Sequence, residues 1–90
     1  MKAIITKYSV ESSRFSATDG DGHTVYFDRD NSLQFEDNHL EAVKKLCAKL
    51  KWSGRLIKSY LLHRGVMNAR VWVWIEEQNA RCEIFTINAE

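Results

Sequence analysis

Residues 16–27 read "SATDGDGHTVYF", and whether the doubled Asp-Gly pair is an ion loop, a phosphate cradle or a turn decides how the N-terminal third folds. A helix-loop-helix calcium loop started at Asp19 needs an oxygen ligand at position 5, glycine at 6 and glutamate at 12. The chain puts His23, Thr24 and Asp30 there. A phosphate cradle leads from a strand into a helix, whereas a strand-like run follows this loop and its two acids repel phosphate. A hairpin accounts for more. Pairing Phe15 with Phe27 and Ala17 with Val25 keeps all four on one face and leaves the loop Gly20-Asp21-Gly22. Gly22 is free to take the left-handed conformation such a loop needs. A weak ion site at the aspartates is the alternative.

Outward from the hairpin, "KAIITKYSV", "RFSAT" and "TVYF" carry the Ile, Thr, Tyr and Val enrichment of strands, with "ESS" and "DGDG" as breaks. From Asn38 the period changes: Leu40, Val43, Leu46, Cys47 and Leu50 recur at helical spacing. Asn38 and Glu41 fit a capping box, and Gly54 is placed to end the helix just after Trp52. "RLIKSYLLH", "ARVWVWIEE" and "RCEIFTIN" read as three further strands, joined by "RGVMN" and a turn at Gln78 and Asn79. The predicted fold is therefore α+β, in the order βββαβββ, with a single helix packed on an antiparallel sheet. The helix face is expected to meet Ile5, Phe15, Val25, Phe27, Val73 and Ile75.

Ninety residues suit one domain spanning 1–90, with a modest core and little room for a deep cleft. Hydrophobic residues at 44% and charged residues at 28% argue against disorder. No apolar run approaches the roughly 18 residues that span a bilayer, and the N-terminus is polar again by Thr6, so a soluble cytoplasmic protein is expected. Cys47 and Cys82 have no metal-site or redox spacing and read as buried thiols. His23, His39 and His63 form no ligand pair, and each reads as a surface or turn residue. Glu76 and Glu77 are consecutive on a strand and point to opposite faces. No catalytic residue, metal site or cofactor is expected.

The net charge of +1 conceals a strong polarity. Seven acids lie between Asp19 and Glu41 against one base, Arg29, and eight bases between Lys44 and Arg70 against no acid. Part of this complements the helix dipole. The surplus makes Lys44, Lys45, Lys49, Lys51, Arg55, Lys58, Arg64 and Arg70 the candidate binding residues, facing RNA phosphates or an acidic protein. In "VWVWIEE", Trp72 and Trp74 share one side of a strand and Val71, Val73 and Ile75 the other. A central strand shielded by neighbours such as Tyr60 or Phe85 is one expectation. An exposed aromatic interface at Trp72 and Trp74 is another, and a weak homodimer through the uncovered sheet face a third.

The stretches "KAIITKY", "FSATDGDGHTV", "HLEAVKKLCAKLKWSG" and "VWVWI" together resemble a family of small proteins carried by phages, plasmids and prophages. Among proteins of this size and layout are anti-CRISPR inhibitors of the type I-F surveillance complex. The resemblance implies a non-catalytic inhibitor acting in the host bacterial cytoplasm, whose partners are Cas proteins, with or without guide RNA, and which blocks target DNA recognition. The alternative is a small nucleic-acid-binding protein of a phage or mobile element.

Overall fold

A computed structural model describes residues 2–63, 66–75 and 83–88, without the side chains of 60–63 and 66–68. Its elements are β1 (Ile4–Ser9), β2 (Arg14–Thr18), β3 (Thr24–Asp28), α1 (Phe35–Leu50), β4 (Gly54–His63), β5 (Val66–Ile75) and β6 (Ile84–Ile87). This is the predicted α+β order: one helix packs on a six-stranded antiparallel sheet that curls, with strand order β3-β2-β1-β5-β4-β6. β5 begins three residues earlier than the Ala69 start expected, because its pairing with β4 runs on to His63↔Val66 and takes in "VMN". Expectations for Arg64, Glu76, Glu77, Cys82 and the turn at Gln78 and Asn79, and for the side chains of Tyr60 and His63, lie outside the described residues.

The hairpin forms in the expected register, Phe15↔Phe27 and Ala17↔Val25. A bond of 3.3 Å from Asp19 N–H to the His23 carbonyl closes the loop over Gly20-Asp21-Gly22. Both glycines take positive φ, 82° and 94°, where a Cβ is strained. The Asp19 carboxylate holds the loop from inside, accepting from the Asp21 and His23 amides at 2.8 and 3.3 Å and meeting His23 Nδ1 at 2.7 Å. Desolvation works to raise the Asp19 carboxyl pKa, and these hydrogen bonds outweigh it and lower it.

Register carries one face across the sheet. Tyr8↔Phe15 and Thr6↔Ala17 put Tyr8, Thr6 and Ile4 on the same face as Phe15 and Ala17, and Ile4↔Trp72 extends that face to β5. The helix lies over the β1–β3 half and contributes Ala42, Val43, Leu46 and Cys47 to a core with Ile4, Phe15, Ala17, Val25, Leu56, Trp72 and Ile87. Ile5, Val73 and Ile75, expected beneath the helix, are instead on the opposite face. "VWVWI" is apolar on both sides, so its composition leaves the parity open, and the pairing of β5 with β1 settles it. The large Trp72 ring is then fully buried and its N–H donates to Thr6 Oγ1 at 2.9 Å.

The helix starts at Phe35 rather than near Asn38, after Gln34, whose side chain makes no cap bond. Asn38 is fully buried one turn in and works on the preceding loop. Its Oδ1 accepts from Asp30 N–H at 2.8 Å, while Nδ2 donates to the Asp30 and Gln34 carbonyls, each at 3.1 Å. The helix stops at Leu50 rather than after Trp52. Lys51 takes the left-handed conformation (φ 56°), and Trp52 N–H returns to the Cys47 carbonyl at 2.9 Å, a Schellman closure made without glycine. Gly54 opens β4 instead.

Candidate functional site

The candidate cations divide into two groups at opposite ends of α1, about 20 Å apart for the 13 residues from Glu36 to Lys49 at about 1.5 Å each. At the N-terminal end, Lys58 on β4 and Arg70 on β5 converge on Glu36 in the first turn of the helix. Lys58 Nζ lies 2.7 Å from Glu36 Oε2, and Arg70 Nη2 lies 2.6 Å from Oε1. Arg70 also donates through Nη1 to the Ala69 carbonyl at 3.0 Å, and its guanidinium stands 5.9 Å from the Phe35 ring centroid. Lys58 Nζ is 5.8 Å from the Trp72 ring and 5.6 Å from Phe85. Desolvation would raise the Glu36 pKa, but the Arg70 and Lys58 bonds and charges prevail and hold it at about 2. These two cations are engaged in an internal network that ties the helix start to β4 and β5.

At the other end, Lys44, Lys45 and Lys49 are exposed on the last turns of the helix and Lys51 just past its end. Lys44 pairs with Glu41 at 3.3 Å, and Lys45 reaches across to the Tyr26 carbonyl of edge strand β3 at 2.5 Å. Lys49 and Lys51 have no ion-pair partner among the described residues. Arg55 stands half-buried at the start of β4, in register with Ile75 and Thr86 on the face turned away from the helix. The eight bases therefore do not share one surface: the exposed cationic patch reduces to the C-terminal half of α1, centred on Lys49 and Lys51. Arg64 lies outside the described residues.

The aromatic pair also separates. Trp72 has no exposed surface, so its ring takes no part in an interface of this fold. Trp74 is half-buried, packed edge-on to Trp52 with centroids 6.2 Å apart, and its N–H donates to the Lys2 carbonyl at 2.8 Å. Phe85, expected as a shield, does pack against Trp72, at 5.1 Å between centroids.

His39, expected at the surface, is fully buried. Its Nδ1 is 2.8 Å from Thr6 Oγ1, and Phe15 and Phe35 stand edge-on to the imidazole at 4.7 and 5.1 Å. Nε2 has no hydrogen-bond partner. Desolvation, aided by the nearby Arg70 charge, lowers the His39 pKa to about 4, so the ring is neutral at pH 7. The signal for burial was the spacing Phe35, His39, Ala42, Val43, Leu46, which becomes a single stripe only when the helix begins at Phe35. Burial also raises the Cys47 thiol to about 11, as suits a core thiol. Among the described residues, no three His, Cys, Asp or Glu side chains gather as metal ligands do, and no helix is long and apolar enough to cross a membrane.

Compared with models of known families, with curated proteins and with solved structures, the chain matches none.

Proposed function

We propose that the chain is a non-catalytic binding protein that inhibits a type I-F CRISPR-Cas surveillance complex stoichiometrically, contacting Cas subunits or guide RNA and blocking recognition of target DNA. The sequence resemblance supplies the target. The observation that supports a binding role is the exposed end of α1, where Lys49 and Lys51 carry charge that no described carboxylate neutralises. Such a patch suits RNA phosphates or an acidic protein surface. Lys58 and Arg70 drop out of the contact set, because Glu36 holds both.

Target-DNA binding by the purified complex, with this chain at equimolar and tenfold amounts, tests the proposal. Loss of DNA binding with co-elution of the chain is expected, and Lys49→Glu with Lys51→Glu is expected to abolish both at an unchanged melting temperature. Undiminished DNA binding without co-elution sinks the inhibitor reading. The second reading, a nucleic-acid-binding protein of a mobile element, is favoured by the same two lysines. It predicts direct affinity for nucleic acid that falls steeply with salt.

A further inference from the structure

The sheet face turned away from the helix carries a groove of about 540 Å³ lined by Lys7, Ser9, Ser12, Arg14, Ser16 and Tyr26, together with Tyr8 of β1. Register builds it. Lys7, Ser16 and Tyr26 form one row across β1, β2 and β3, and Ser9, Arg14 and Asp28 form the next. Ser16 is the small residue of the first row, so the row is low in the middle. Lys7 and Tyr26 rise on either side, about 10 Å apart at two strand spacings. The Arg14 guanidinium stands over one face of the Tyr26 ring, 5.7 Å from its centroid, and leaves the other face to a stacking partner. Tyr26 is 54% exposed, unusually open for a large ring. Asp28 takes one edge of Arg14 through Nε at 3.1 Å, and Lys7 has no ion-pair partner among the described residues.

Two cations, three serine hydroxyls and an open aromatic ring around one groove match the two halves of a nucleotide. We propose that this groove binds a nucleotide unit, with its phosphate at Lys7 and Arg14, its sugar and phosphate oxygens against Ser9, Ser12 and Ser16, and its base stacked on Tyr26. Single-stranded binding surfaces combine these parts: cations follow the backbone and aromatic side chains carry the bases. An acidic peptide would use the cations and leave the ring without a stacking partner. Neither Lys7 nor Arg14 falls in the basic segment 44–70, so charge clustering along the chain does not reveal them. The groove lies on the face away from Lys49 and Lys51, and the proposal is independent of the inhibitor reading.

Amide NMR of the intact chain at low salt, titrated separately with AMP, adenosine, inorganic phosphate, octa-adenylate RNA and an octaglutamate peptide, tests it. Saturable shifts at Lys7, Ser9, Ser16 and Tyr26 are expected with AMP, weaker ones with adenosine or phosphate alone. Tighter binding of the RNA than of AMP assigns the groove to a strand, and the reverse assigns it to a free nucleotide. Tyr26→Ala is expected to weaken RNA binding about tenfold, as loss of one stacked base does, and Lys7→Glu to weaken it and flatten its salt dependence. Both sites are exposed, so the melting temperature should hold. Shifts with octaglutamate and none with AMP or RNA overturn the proposal, as do RNA shifts confined to Lys49 and Lys51 or unchanged affinity in both variants.

Discussion

His39 of the helix and Thr6 of β1 meet at 2.8 Å between Nδ1 and Oγ1, within a fully buried layer, and the same hydroxyl oxygen accepts the indole N–H of Trp72 at 2.9 Å. One threonine thus anchors helix and central sheet together where the surroundings are otherwise aromatic. A neutral imidazole is what such a layer tolerates, since charging it would place an ion against Phe15 and Phe35.

Acid sensitivity follows from that neutrality. The folded His39 pKa of about 4 lies below the ordinary 6.5. Between those values the unfolded chain takes up a proton that the folded chain refuses, so the stabilisation is complete above pH 6.5 and is lost as pH falls toward 4. The loss amounts to about 3 kcal/mol. Urea unfolding at pH 7.0 and 4.5 checks it: His39→Phe should show a smaller difference between the two pH values than the native chain.

Glu36→Gln should remove the shared acceptor of Lys58 and Arg70 and leave the nearly buried guanidinium without its counter-charge. A cost of roughly 1–3 kcal/mol is expected, below that of a fully buried pair because water reaches the Glu36 carboxylate. Lys58→Met, which leaves the Arg70 pair in place, should cost less. Thermal melts of the two variants compare them directly, and a greater loss for Lys58→Met would contradict this ordering.

The two tryptophans of β5 should behave differently. Trp72→Ala opens a cavity in the core and strips Thr6 of a donor, for about 3–5 kcal/mol. Trp74→Ala, at a half-buried position against Trp52, should cost roughly 1–2 kcal/mol and leave a folded protein. Near-ultraviolet circular dichroism and denaturant midpoints distinguish the cases.

Lys51→Gly is expected to stabilise the fold by roughly 0.5–1 kcal/mol, because glycine relieves the left-handed strain at φ 56° by more than it adds to unfolded-chain entropy. The variant also removes one of the two unneutralised lysines. A rise in melting temperature combined with weaker inhibition would place Lys51 at the interface and not in the scaffold.

The α+β order and the hairpin register were legible along the chain because both rest on local rules. Two glycines demand positive φ at fixed positions, alternation assigns Phe15, Ala17, Val25 and Phe27 to one face, and a helical stripe needs no distant partner to be seen. The charge contrast on either side of Lys44 was equally plain. What it meant was not: chain proximity placed Lys58 and Arg70 with Lys49 and Lys51, whereas the fold carries them to the other end of the helix and onto Glu36.

Tertiary pairing decided the rest. Which face of "VWVWI" enters the core is a matter of parity against β1, and a strand apolar on both sides holds no information about that until Ile4 stands opposite Trp72. His39 sits in the core where Thr6, 33 residues away in sequence, meets its Nδ1, and Trp72, 66 residues from Thr6, donates to the same hydroxyl oxygen. The groove of Lys7, Arg14 and Tyr26 likewise exists only across three paired strands. Sequence determines such local preferences directly, since they depend on a residue and its near neighbours. The placing of distant polar groups depends on sheet register, which the summed packing of the whole chain selects.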